Sequence, residues 1–259
     1  MEKHKASDYT GKGENYRKYR SGYSDTVLNL ILAHTGLAYS EQSKTVADIG
    51  AGTGIFSRQL ADKGLNVISV EPNDDMRANG EEYTKDYRNV SWRKGDGENT
   101  GLANKSVNLV TMASAFHWTD PNKSLPEFYR ILKDKGYVTL LWNPLVKQGD
   151  PIQEQVEQII QTNIPNLSRG FRSGENSKEL LMSSGYFTDV LEMRHVHKST
   201  QSKDHYISAW KAANHVRTSA EEIGPKVFDN IINSITDLLK DKETIDVPYL
   251  TKAWIAQKK

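Results

Sequence analysis

The sequence predicts an α/β protein in which short buried strands alternate with helices around one glycine-rich turn, and three observations predict it. Residues 46–54, VADIGAGTG, pass from an apolar run through Asp48 into glycine at every second position, Gly50, Gly52 and Gly54, before Ile55 and Phe56 open a helical pattern. Further apolar runs at 66–70, 89–93, 107–112 and 137–142 are separated by segments of helical spacing. Glu71 closes the second run, about twenty residues past the glycines, the place where dinucleotide-type folds put a ribose-binding acid. Spacing establishes the alternation and leaves the order of the strands open.

The turn narrows its ligand. Glycine takes positive φ without a Cβ clash and lets a ligand approach the backbone. A dinucleotide G-x-G-x-x-G begun at Gly50 requires glycine at position 55, where the chain has Ile55. Asp48 argues the same way, because a carboxylate beside the turn repels a pyrophosphate and attracts an ammonium group. S-adenosylmethionine carries an amino group and a sulfonium and no phosphate. DIGAGTG after an apolar strand resembles the first motif of class I S-adenosylmethionine-dependent methyltransferases. The resemblance covers roughly residues 16–142 with specific motifs, and its nearest flavour is the small-molecule group that includes methyltransferase type 11, ubiquinone-synthesis and trans-aconitate-like enzymes. It implies a Rossmann-like, seven-strand, mostly parallel sheet with helices on both faces, the last strand antiparallel, and a small helical cap insertion. It also implies Asp48, Gly50, Ala51, Gly52 and Thr53 as cofactor-binding residues, with S-adenosylhomocysteine as product.

Taken in order, residues 1–23 are polar, with Tyr9, Tyr16, Tyr19 and Tyr23 among Arg17, Lys18 and Arg20, and Val27, Leu28, Ile31 and Leu32 then follow at helical spacing. The family's aromatic and basic N-terminal segment folds over the cofactor; its matches here are Tyr16, Arg20 and Tyr23, the last on the substrate side. The bland alternative is tyrosines resting on the core. After the turn, Phe56, Leu60 and Ala61 form a helix face that Gly64 ends. Glu71 can accept hydrogen bonds from both ribose hydroxyls. Pro72 and Met76 resemble the family's EPxxxM pattern, in which the methionine packs on the adenine; ordinary core is the competing use. Gly95, Asp96, Gly97 and Glu98 make a turn whose acid and backbone amides suit the adenine edge, the family having Asp and a small residue at 96 and 97; turn propensity alone also explains them.

The run at 107–112 leads into Ala113, Ser114, Ala115, Phe116, His117 and Trp118. Ala113 and Phe116 are assigned to the cofactor side, His117 and Trp118 to the substrate. His117 is the candidate base or orienter, since imidazole titrates near neutrality; holding a loop is its alternative. Residues 122–132 carry a helix in which Pro126 is awkward, so a start near Leu125 is expected, with Lys135 and Gly136 closing it before the strand at 137–142. Asp134 and Lys135 stand where the family has Pro and Gly. Composition then changes: Pro144, Gly149, Pro151 and Pro165 surround a short helical pattern at Ile152, Val156, Ile159 and Ile160. Arg169 and Arg172 follow as candidates for an anionic substrate, against the alternative of solvated surface. Residues 190–198 alternate as a strand with His195 and His197 on one side; no acid or cysteine cluster makes them a metal site. Residues 202–214 and 227–239 read as helices, and 244–255 as a last strand with Pro248 at an edge or bulge.

The totals bound the function. Of 259 residues, 34 are Lys or Arg and 33 Asp or Glu, so a net charge of +1 favours neither nucleic acid nor membrane. The absence of cysteine excludes disulfides, thiolate metal sites and cysteine nucleophiles, and fits a reducing compartment. No signal-peptide core or membrane-length run occurs, so a cytoplasmic protein, monomer or homodimer, is expected. The expected division is an arm and helix at 1–40, a cofactor core at 41–145, a cap at 146–185 and completion of the sheet at 186–259. The resulting expectation is methyl transfer to a small metabolite at O, N, S or C. A non-catalytic cofactor-binding or sensor protein is the alternative. An RNA or protein methyltransferase is disfavoured because SAFHW, not an Asn/Asp-Pro-Pro-Tyr motif, follows the fourth strand.

Overall fold

The computed structural model describes residues 20–39, 44–167 and 174–259. Its centre is a seven-stranded sheet of order β3-β2-β1-β4-β5-β7-β6. The strands are β1 (Thr45–Ile49), β2 (Asn66–Val70), β3 (Val90–Arg93), β4 (Val107–Ala113), β5 (Leu132–Trp142), β6 (Phe187–Ser202) and β7 (Thr244–Lys258). β1 pairs in parallel with β2 and β4, and β5 with β4, whereas β7 runs antiparallel to both β5 and β6. The chain leaves β1 toward β2 on one side and returns to β4 on the other, so the order reverses between β1 and β4. The carboxyl ends of two strands at such a reversal are where open α/β sheets take ligands.

Period-two alternation divides the core. Ala47, Ile49, Val110, Leu140, Trp142 and Trp254 face one side with Leu125, Phe128 and Ile131 of α4 (Pro121–Ile131) and Leu181 of α6 (Ser177–Ser183). Val46, Leu109, Leu141, Ala253 and Ile255 face the other with the buried stripe of α1 (Asp25–His34) and with Phe56 and Leu60 of α2 (Ile55–Asp62). A third cluster joins α5 (Pro151–Asn163) to α7 (Lys203–Lys211), α8 (Asn214–Ile223) and α9 (Val227–Leu238), against Ile245 and Val247 of β7. Two insertions, one before β6 and one after it, thus share one core.

The structure corrects several expectations about individual elements. α4 begins at Pro121, capped by the Asp120 side chain on Asn122 N, and contains Pro126. The ring removes the amide that would reach Asn122 O, and Asn122 is exposed, so the loss falls on the solvent-facing first turn of the helix. β5 starts at Leu132, directly after the helix, and absorbs residues 133–136 as an irregularity, with Lys135 at φ 61°. The helix expected to reach residue 214 ends at Lys211, and a separate α8 follows. β7 runs on to Lys258, and Pro248 lies within it, paired with Lys198 of β6. The Pro248 carbonyl accepts from Val146 N, so its proton-less nitrogen faces a short loop and not the β6 ladder.

α3 (Asp74–Tyr83) shows how tightly the half of the sheet around β2 and β3 is packed. Trp92 of β3 donates from Nε1 to Thr84 Oγ1 at 2.9 Å and lays its ring on Gly80, where an added Cβ would stand 2.1 Å from the ring. Gly80→Ala is therefore expected to destabilise the protein by about 1–2 kcal/mol despite the better helix propensity of alanine. Urea denaturation measures this, and an unchanged midpoint would show that the Trp92 ring is free to swing away.

Candidate functional site

The glycine turn is built by three left-handed residues, with φ of 66° at Gly50, 57° at Gly52 and 79° at Gly54. Gly50 N and Ala51 N both donate to Val70 O, at 2.8 and 3.1 Å, which ties the turn to the end of β2. A Cβ on Gly50 would stand 2.7 Å from Ala115 Cβ, and one on Gly52 3.4 Å from Met76 Cε. Backbone conformation and close approach therefore both demand glycine at position 50. Thr53 is buried beneath the turn, and its hydroxyl has no hydrogen-bond partner among the described residues.

Two acids flank the turn in different ways. Asp48 is 1% exposed and lies under it, accepting from Ser57 Oγ at 2.6 Å and from Thr111 Oγ1 at 2.9 Å, while Ser69 donates to Ser57 at 2.8 Å. Burial pushes the Asp48 carboxyl up to about 6; the hydroxyls of Ser57 and Thr111 pull it back, and the charge of Glu71 adds to the rise. Glu71 stands at the end of β2 and holds one amide with each oxygen, Asn73 N on Oε1 and Gly52 N on Oε2, both at 2.9 Å. Burial raises its pKa too, against the two amides and Arg77. Each Glu71 oxygen keeps a second lone pair, so the carboxylate can accept further donors.

The remaining described candidates lie on the segments that follow β2, β3 and β4 and on the stretch ahead of α1. Pro72 leads into Asn73, whose side chain caps α3 by accepting from Met76 N. Met76 is buried, with its methyl over Gly52. Asp96 Oδ1 accepts from Glu98 N and Asn99 N at 2.9 and 2.8 Å, so one of its oxygens shapes its own loop. Glu98 Oε1 takes Asp120 N at 3.1 Å. Gly97 is packed by Thr119 Cγ2, 2.6 Å from its Cβ position, and by Met112 Cε at 3.3 Å. Ala113 ends β4. Phe116 is buried and tilts against Phe128 at 6.5 Å, so its ring belongs to the core. His117 and Trp118 share the same short 3-10 turn with ring centroids 4.7 Å apart, and Trp118 is 40% exposed. Arg20 is exposed ahead of α1. Tyr16, Arg169 and Arg172 lie outside the described residues.

Three contributors were not legible as site residues. Met112 puts its methyl between Gly50 and Gly97, 3.5 and 3.3 Å from the two Cβ positions. Ser114 holds φ 55°, rare for serine, and its Oγ accepts from the Tyr23 hydroxyl at 2.8 Å. Gln59 grips Tyr23 by both backbone groups, accepting from N at 2.9 Å and donating to O at 2.8 Å. None of these side chains carries a sequence signal, because each acts through a partner far along the chain. His195 and His197 face Ser24 and Gly22, and no group of three His, Asp or Glu gathers among the described residues.

Residues 47–140 match a family model described as a methyltransferase domain. An uncharacterized methyltransferase of Mycobacterium tuberculosis is 30% identical over 155 residues, 54% of this chain and 60% of that one. An uncharacterized methyltransferase of Schizosaccharomyces pombe is 25% identical over 222 residues, 84% of each chain. Among solved structures, a candidate type II methyltransferase from Anaeromyxobacter dehalogenans superposes with a TM-score of 0.62 at 17% identity, over 93% of this chain and 97% of that one; this likeness concerns the fold. The match to the mycobacterial protein spans 60% of its length. Over residues 47–140 the chain is similar to methyltransferase domains, a class whose cofactor is S-adenosylmethionine.

Asp48 gives the site a testable signature. Its folded pKa lies above the ordinary value of 3.8, so the protonated form is the one the fold favours. The sign follows: stability from this group is complete below about pH 4 and is lost as pH rises through about 6, a difference of roughly 3 kcal/mol. Asp48→Asn is expected to raise the urea midpoint at pH 8 and to flatten its rise between pH 8 and pH 5. A variant less stable than wild type at pH 8 would show that the charge is compensated in the fold.

Proposed function

We propose that this protein transfers a methyl group from S-adenosylmethionine to a small-molecule acceptor. The observation that carries the reading is the left-handed glycine turn held by the Glu71 carboxylate with a second, fully buried carboxylate beneath it. The fit to the donor follows from charge and space. Two acids within and beside the turn oppose a pyrophosphate and favour a cationic nucleoside. The positive φ of Gly50 and Gly52 shapes the turn that Glu71 holds, and the spare lone pairs of Glu71 suit the paired hydroxyls of a ribose. Met76 and the loop of Asp96, Gly97 and Glu98 form the adenine side, with the turn from Gly50 through Thr53 as floor.

The bound donor supplies an electrophilic methyl on a sulfonium, and the sulfur keeps the electron pair of the broken bond as the acceptor atom forms its own. The protein's part is then orientation and exclusion of water, which in favourable systems lowers a barrier by about 7–11 kcal/mol. Tyr23, His117 and Trp118 at the exit of β4 are the acceptor side, joined in this reading by Arg169 and Arg172. His117 brings an imidazole there, suited to take a proton from an alcohol or phenol; a carboxylate or thiolate acceptor needs no base. The reading assigns the reaction to the cytoplasm, with the protein as monomer or homodimer; no described helix is long and apolar enough to cross a membrane.

Calorimetry with S-adenosylhomocysteine, together with a labelled-donor assay on a metabolite pool, tests the proposal. Wild type is expected to give heat with this ligand and none with a nicotinamide dinucleotide; the reverse pattern would end the reading. Glu71→Ala should weaken the affinity about tenfold or more, the scale of a lost charge-assisted hydrogen bond. Because Asp48 is ionised above about pH 6, affinity should rise from pH 5 to pH 8 in wild type and stay flat in Asp48→Asn. Binding without any methylated product would favour the sensor alternative. With an alcohol acceptor, His117→Ala should lower kcat about 10²- to 10⁴-fold with donor affinity unchanged; a slight loss would remove His117 as the base.

A further inference from the structure

Residues 21–24 cross the molecule beside the donor turn, and their hydrogen bonds lead to two histidines on β6 that the reaction itself does not use. The Gly22 carbonyl is the centre. It accepts from Asn143 Nδ2 at 3.0 Å, at the end of β5, and from His197 Nε2 at 3.2 Å. A carbonyl can only accept, so Nε2 carries the proton and the neutral ring leaves Nδ1 bare. That Nδ1 is buried and has no hydrogen-bond partner among the described residues.

The flanking residues are held as fully. Ser24 N donates to Thr251 Oγ1 at 2.8 Å, and the Thr251 hydroxyl passes on to Asn143 Oδ1 at 2.7 Å, closing a ring of buried polar groups. Ser24 Oγ meets His195 Nδ1 at 2.8 Å, and Ser21 Oγ accepts from Gln201 Nε2 at 3.2 Å. Between these anchors Tyr23 has one orientation. Its backbone is clasped by Gln59, its ring meets Phe56 edge-on at 5.0 Å, and its hydroxyl reaches Ser114, next to the Ala115 that packs on Gly50.

We infer that His197, in its neutral form, is a positioning residue of the methyl-transfer site: by holding the Gly22 carbonyl it fixes the Tyr23 phenol on Ser114 at the wall of the donor turn. This rests on the donor-site reading above. The groups facing His197 are His195 on its own strand, Asp25 at the start of α1 and the Tyr249 ring on β7, 6.0 Å away. Burial and His195 oppose its protonation, the Gly22 carbonyl and Asp25 favour it, and burial wins, holding the imidazole below its usual range. Protonation places a second N–H where the described residues offer no acceptor. For a base with a depressed folded pKa, the latch is complete above the ordinary histidine range and is lost as pH falls through the folded value.

Hydrogen exchange of the amides of Tyr23 and Ser24 reads the latch without any ligand. Corrected for intrinsic rates, it is expected to quicken about tenfold in His197→Ala at pH 7.5, the scale of one lost hydrogen bond. In wild type it should quicken on going to about pH 5, on the acid side of imidazole titration. His197→Gln keeps an N–H donor and cannot titrate, so it should restore protection at pH 7.5 and abolish the acid loss. Affinity for S-adenosylhomocysteine at pH 7.5 should fall about three- to tenfold in the alanine variant and recover with glutamine, on the same hydrogen-bond scale. Unchanged exchange in His197→Ala, an acid loss persisting in His197→Gln, or protection lost equally throughout β1 and β4 would overturn the inference. No heat with wild type would overturn the donor reading instead, whatever the exchange shows.

Discussion

The structure depends on one short interaction, the grip of the Glu71 carboxylate on the amides of Gly52 and Asn73. It joins the turn after β1 to the exit of β2 at the reversal of strand order, and it lets a left-handed turn hold its shape there. Three successive alternate glycines have no side chains with which to restrain themselves. Their restraint comes from outside: Val70 O, Glu71, and the packing of Ala115, Met112 and Met76 into the space their missing Cβ atoms leave.

Beneath the turn, Asp48 works by a different principle. Its oxygens are engaged by Thr111 and by the Ser57–Ser69 pair, so it is available to a ligand through its field and not by contact. A buried negative charge with only hydroxyl partners is costly, and the cost is what makes a nearby cation welcome. The same argument makes the turn a poor site for a phosphate, although α2 opens immediately after it at Ile55.

The second half of the molecule completes the first. β7 inserts between β5 and β6, and its Thr251, together with Asn143 and the two histidines of β6, secures residues 21–24 across more than a hundred positions of sequence. Hydrogen bonds in such a buried network are strengthened by the low local dielectric, and one nitrogen in it, His197 Nδ1, is left without a partner among the described residues. The helices before and after β6 converge on one core, so the two insertions pack as one unit.

The sequence by itself determined the alternation of elements, the glycine turn, the acid at the end of β2 and the resemblance that implied a seven-strand, mostly parallel sheet. These are local signals: period two or 3.6, glycine where φ is positive, an acid at a fixed distance. α8, the early start of α4 and the length of β7 were not legible, because packing against a distant core overrode local spacing, as Pro126 inside α4 shows. Of the candidate site residues the sequence singled out Gly50, Gly52, Glu71 and Met76, which the structure brings together at the turn. Met112, Ser114, Gln59 and the latch of His197 on Gly22 were decided only by the tertiary structure, since a methionine, a serine, a glutamine or a histidine takes its role from a partner that the fold alone brings within reach.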